Sequence, residues 1–180
     1  VVVLSPLING HIWESNMDFG ELNDKMFYIE ASDLYERKLR SKGIRTVEFL
    51  KISYERKRIY FVEAKTSFPD PNSIITPENF DLQINQIAQK FYDALLIFIS
   101  ICHGNWRNKE EYEKLPSDFK KNQLQNLIFT FVLIVKNSKL EWTKNIKDAL
   151  DLKIKKNNKA WYFDLAVLNE TEAKKLKFIE

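Results

Sequence analysis

Arg58-Ile59-Tyr60-Phe61-Val62-Glu63-Ala64-Lys65-Thr66 is the stretch that decides how this chain is read. Its apolar run predicts a β-strand, and residues two apart on a strand point the same way. Glu63 and Lys65 therefore share the face of Ile59 and Phe61. Charges at the end of an apolar face are costly to bury unless they are paired or hold an ion. That makes the pair a functional candidate.

The stretch before it strengthens the case. Ile44-Arg45-Thr46-Val47-Glu48-Phe49-Leu50-Lys51-Ile52 alternates as a second strand, and Ser53 to Lys57 supplies a polar connection. A hairpin turning on Glu55-Arg56 places Glu48 opposite Glu63 and Thr46 opposite Lys65. Carboxylates facing one another across a sheet repel. Two of them with one lysine leave a formal −1, which a bound divalent cation neutralises. The pairing depends on register, because a one-residue slip turns a strand's faces over. Glu-x-Lys also occurs at Glu36/Lys38, Glu55/Lys57 and Glu172/Lys174. Only Glu63/Lys65 follows an apolar strand whose partner carries an inward acid.

An acid-bearing strand, a hairpin, an apolar strand ending in Glu-x-Lys and then a long helix resembles the PD-(D/E)XK nuclease superfamily, with its restriction-endonuclease-like fold. In that family two acids on adjacent strands bind magnesium, and the lysine helps activate water and stabilise the transition state. The resemblance spans roughly residues 44–134 and implies a single nuclease-like domain over residues 1–180. It assigns Glu48, Glu63 and Lys65 as catalytic, with Glu48 and Glu63 holding Mg2+ (or Mn2+). Glu48 stands where the family has Asp, and no Pro-Asp pair precedes it; Pro69-Asp70 comes after the motif. The family often adds an acid before its sheet, for which Glu30 and Glu36 are candidates. Some branches use a glutamine on the following helix, where Gln86 is one of several.

Composition sets the frame. The 180 residues suit one domain with a sizeable core, and 44% hydrophobic with 29% charged residues is ordinary for a globular protein. The net charge of +3 does not by itself announce a nucleic-acid binder. Its distribution is uneven, with 12 basic against 14 acidic residues over 1–103 and 16 against 11 over 104–180. The basic second part can approach phosphates, although a solvated lysine-rich surface explains any single cluster. Cys102 is the only cysteine, which excludes an intrachain disulfide and a cysteine zinc cluster. It reads as a small apolar residue of a buried helix. His11 and His103 are too few for a histidine-rich metal site. Val1 to Leu4 is too short for a signal peptide, and the apolar run from Ala94 to Cys102 is too short to span a bilayer. The expected setting is the cytoplasm, without a membrane.

Elsewhere the elements follow pattern and punctuation. Leu7 to Trp13 reads as a short strand or an anchored loop, and Ser32 as the cap of a helix through Leu39. Pro69, Pro71 and Pro77 interrupt regular structure, so Ser67 to Thr76 forms a loop at the rim of the site. Thr76 and Pro77 then open a helix that runs to Gly104. Its apolar positions Phe80, Ile84, Ile87, Phe91, Leu95, Phe98 and Cys102 are spaced 4, 3, 4, 4, 3 and 4. Gln83, Gln86, Gln89 and Lys90 read as its polar face. A charged excursion over residues 105–125 has Trp106 and Tyr112 as anchors, with a short helix opening at Pro116-Ser117-Asp118. Leu127 to Val135 reads as a strand buried on both faces, Glu141 to Lys153 as a helix, Ala160 to Leu168 as a last strand and Glu170 to Lys177 as a terminal helix. The expected class is α/β, a central mixed β-sheet flanked by helices.

Two functions fit these residues. The first is a metal-dependent nuclease acting on phosphodiester bonds, with nucleic acid (DNA before RNA) as partner and a homodimer compatible with the chain. The second is a non-catalytic binding or assembly module, in which Glu48, Glu63 and Lys65 form a structural cluster. A nucleotide enzyme is disfavoured because four glycines can scarcely build a phosphate loop. A serine or cysteine hydrolase lacks a credible histidine base.

Overall fold

The computed structural model describes residues 7–72, 77–103, 109–120, 122–157 and 162–180. The chain begins with β1 (Leu7–Ile8), β2 (His11–Glu14) and β3 (Met17–Glu21), an antiparallel sheet of three strands. Asn9 and Gly10 join the first pair and Ser15 and Asn16 the second, all four with positive φ. That is the left-handed turn geometry two-residue hairpins prefer. β4 (Met26–Phe27) follows, then short irregular helical turns between Ile29 and Lys42. Ser32 does cap there, its Oγ accepting from the Tyr35 N–H at 3.3 Å.

The hairpin of β5 (Phe49–Ser53) and β6 (Arg58–Lys65) forms in the expected register, with Leu50 opposite Phe61 and Ile52 opposite Ile59. Its first strand is shorter than Ile44 to Ile52, however. The ladder stops at Phe49 opposite Val62, so Glu48 and Thr46 lie beyond it and do not form the projected pairs with Glu63 and Lys65. The backbone before Phe49 is divided between β6 and other partners, with Glu48 N–H still donating to the Val62 carbonyl at 3.1 Å. Arg45 N–H donates to Asp93 at 3.1 Å, and the Glu48 carbonyl accepts from Glu30 N–H at 3.3 Å.

After the hairpin come α1 (Pro77–Cys102), α2 (Lys109–Lys114), β7 (Ile128–Val135), α3 (Leu140–Asn157), β8 (Asp164–Asn169) and α4 (Glu170–Lys175). The main sheet is mixed and ordered β4-β5-β6-β7-β8, antiparallel from β4 to β6 and parallel from β6 to β8. The protein is thus a mixed α/β structure with a five-stranded sheet. β7 lies between β6 and β8, and Phe131 to Val135 are fully buried, as its continuous apolar run predicts. α3 is longer than expected at both ends, and β8 starts at Asp164. Thr76, Gly104, Trp106 and the start of the expected last strand fall outside the described residues.

Alternation assigns the two faces of the sheet. Ile59, Phe61, Phe131 and Leu133 turn to one face, where α1 brings Ile84, Ile87, Phe91 and Phe98 and α3 brings Ile146 and Leu150. Phe91 stacks on Phe131, their ring centroids 4.7 Å apart. Full burial of side chains of this size contributes roughly 1.5–3 kcal/mol each. Tyr60, Val62, Val132 and Ile134 turn to the other face, covered by Ile12 and Phe19 of the small sheet and by Ala173 and Phe178. Asn169 caps α4 in a reciprocal box, accepting from Glu172 N–H at 2.9 Å while the Glu172 carboxylate accepts from Asn169 N–H at 3.2 Å. Cys102 is half-buried against the core, and burial pushes its thiol up to about 12. No helix among the described residues is long and apolar enough to cross a membrane.

Candidate functional site

Strand directions bring the charged residues together. β4 and β6 run towards the end of the sheet where β5 begins, so Tyr28 and Glu30 after β4, Glu48 before β5 and Glu63 and Lys65 closing β6 share that end. α1 crosses the sheet and adds Lys90. The turn between β2 and β3 reaches the same end, where the Asn16 carbonyl accepts from Lys136 Nζ at 2.7 Å, just past β7. Glu14 immediately precedes that turn.

Glu63 is fully buried. Lys90 Nζ donates to both of its carboxylate oxygens at 2.8 and 2.9 Å and lies 3.8 Å from Glu48 Oε1. Lys65 Nζ lies 3.1 Å from Glu63 Oε1, with about a third of its side chain exposed (32%). Although Glu48 lies outside the ladder, Glu48 and Glu63 both reach one ammonium. On the other side of Glu48, carboxylate oxygens of Glu14, Glu30 and Glu48 lie within 4.8 Å of one another. Tyr28 donates its hydroxyl to Glu14.

Burial dominates the electrostatics. It lifts the Glu48 carboxyl well above the usual carboxylate range, and the Glu63 charge and a hydrogen bond with Glu30 add to the effect. Burial also lifts Glu63, opposed by Lys90 and Lys65. Lys90 is disfavoured by burial, but Glu63 and Glu48 outweigh it and its ammonium is held more firmly than an exposed lysine's. Glu14 is raised by burial against its bond from Tyr28, and Tyr28 is raised by burial and by Glu14.

Of the acids considered before the sheet, Glu30 joins the cluster and Glu36 does not. Glu36 makes an exposed ion pair with Arg40 at 2.7 Å. The α1 residue brought to the carboxylates is Lys90, one turn beyond Gln86, and Gln89 is engaged by Asp93 at 2.7 Å. Sequence reasoning missed Glu14 and Lys90. Asn9-Gly10, a strong two-residue hairpin signal, marks the small sheet that carries Glu14. Lys90 stands three residues after Ile87, four before Ala94 and seven before Ile97, a row that is otherwise buried.

A hard divalent cation suits this donor set, since carboxylate oxygens are the ligands magnesium and manganese prefer. Four carboxylates against two ammoniums leave a formal −2. The cation already lodged at Glu63 and Glu48 shows that positive charge is stable there. A groove of about 510 Å³ lined by Arg56, Arg58, Lys147 and Lys155 lies at the other end of β6. Its cations are partly spent, Arg58 on Asp164 and Lys155 on Asp151.

No protein-family model, curated protein or solved structure matches the chain.

Proposed function

We propose that this chain is a magnesium- or manganese-dependent nuclease of the PD-(D/E)XK kind, with a restriction-endonuclease-like arrangement of its sheet, acting on phosphodiester bonds in DNA before RNA. The observation that carries the reading is that Glu48 and Glu63 converge on one cation with Lys65 beside Glu63. The hairpin, the helix after it and the parallel strand that returns beside β6 support it.

Glu48 and Glu63 would hold the metal, with Glu30 and Glu14 as further oxygen donors. The bound ion would lower the pKa of a water and offset charge on the phosphate. Lys65 is the most solvent-facing of these charges that adjoins Glu63, and its ammonium is suited to steady negative charge developing on the phosphoryl oxygens. Buried Glu63 orients it through the 3.1 Å contact.

The test is cleavage of plasmid, linear duplex and single-stranded DNA and RNA with each metal. Lys65→Ala should lower the rate by roughly a hundred- to a thousand-fold, about 3–4 kcal/mol, while divalent binding persists. Glu63→Ala should weaken both. An unchanged rate in Lys65→Ala overturns the assignment. A second reading, a non-catalytic module with a structural Glu/Lys cluster, is favoured by the double engagement of Glu63 by lysines. It is selected if the wild-type chain cleaves none of these substrates.

A further inference from the structure

We propose that Lys90 is a tethered cation occupying the space between Glu48 and Glu63, and that a divalent ion binds there only by displacing its ammonium. The proposal rests on the reading of Glu48 and Glu63 as the metal's ligands, and it concerns how that site is kept before the metal arrives.

Geometry separates the two lysines. Lys90 Nζ makes three carboxylate contacts on two residues, at 2.8, 2.9 and 3.8 Å. Lys65 makes one, on Glu63 alone. Lys90 also has the less exposed side chain, 19% against 32%. An ion ligated by oxygens of both Glu48 and Glu63 would stand within a few ångströms of this ammonium, at separations where like charges in a buried setting repel strongly. The two cations are therefore alternatives.

The side chain is suited to leave and return. A lysine carries a compact charge on a flexible four-carbon stem. The Lys90 stem rises from the buried row of Ile87, Ala94 and Ile97, which fixes its root on α1. Carboxylate oxygens of Glu14 and Glu30 lie within 4.8 Å of Glu48, which Lys90 already approaches, so further acceptors belong to the same cluster. Without metal, Lys90 satisfies a carboxylate that burial would otherwise leave uncompensated. The cost of moving it sets a threshold of metal concentration.

The experiment uses the whole chain and needs no catalysis. Manganese binding is measured by calorimetry on wild type, Lys90→Met and Lys65→Met. Lys90→Met should bind at least tenfold more tightly than wild type, and Lys65→Met, which removes an equal charge from the same carboxylate, should gain less. An unchanged or weaker affinity in Lys90→Met overturns the proposal, as does an equal gain in Lys65→Met. Should Lys90→Met not fold, the wild-type chain with 15N-labelled lysine gives a second readout. Saturating magnesium should shift or broaden the Lys90 ammonium resonance. Saturation that leaves it unmoved would mean that the ion sits at Glu14, Glu30 and Glu48 with Lys90 still on Glu63, and the proposal fails. A chain that shows the expected binding but cleaves no nucleic acid loses the nuclease reading and keeps this one.

Discussion

Replacing Glu63 with alanine removes the carboxylate that Lys90 grips with two short hydrogen bonds. Glu63 is 0% exposed, and Lys90 is held mainly within the protein, so the ammonium is left with Glu48 at 3.8 Å. Breaking a buried ion pair by deleting one partner costs about 3–5 kcal/mol, because the surviving charge stays desolvated. Lys65 adds little to this figure, since its exposed end can return to water. With a urea dependence of about 2 kcal/mol per molar for a chain of this size, the unfolding midpoint should fall by roughly 1.5–2.5 M. The double replacement Glu63→Leu with Lys90→Met should recover most of the loss, as both members of the short, doubly hydrogen-bonded pair are then apolar. Equilibrium urea unfolding in a chelator, followed by tryptophan fluorescence, measures all three proteins. A Glu63→Ala loss below about 1 kcal/mol, or a double variant as unstable as the single one, would refute the ion-pair reasoning.

Asn169→Ala should cost about 1 kcal/mol through loss of the α4 cap, with Asn169→Asp close to wild type, both read from urea unfolding. His11 should titrate above 6.5, chiefly because Asp18 accepts its Nδ1 hydrogen bond at 3.0 Å, and Asp18→Asn should return it towards that value in an NMR titration. The sign follows from linkage: the contact's stabilisation is fully present below pH 6.5 and is lost as pH rises through the folded-state value. Cys102, its thiol raised to about 12, should react slowly with a disulfide reagent at pH 8 in the folded chain and rapidly in urea.

The parts of the fold that were legible are those governed by local period. β6, β7 and α1 each carry one uninterrupted pattern, and the hairpin register followed from the Ser53 to Lys57 turn. Tertiary contacts decided the rest. Glu48 falls out of the regular pairing while its N–H still donates to the Val62 carbonyl, its own carbonyl turning to Glu30 and the Arg45 N–H to Asp93, and no property of residues 44–48 announces those partners. Lys90 was grouped with the glutamines by residue type, although its spacing from Ile87 and Ala94 puts it on the buried row. Glu14 comes from a different sheet altogether, and long-range contacts such as Asn16 with Lys136 and Tyr28 with Glu14 align that sheet with the site.

That separate origin of Glu14 makes the charge at this end of the main sheet depend on a second sheet. Glu63 and Lys90 belong to one strand–helix unit, whereas Glu14 depends on the small sheet staying docked through Tyr28 and Lys136. Ile12 and Phe19 hold that sheet against the main one. Without Glu14 the end of the sheet would hold three carboxyl groups against two ammoniums instead of four. The ionic character of this rim is therefore set jointly by two sheets, and a substitution in the apolar contact between them reaches the carboxyl cluster without touching any of its members.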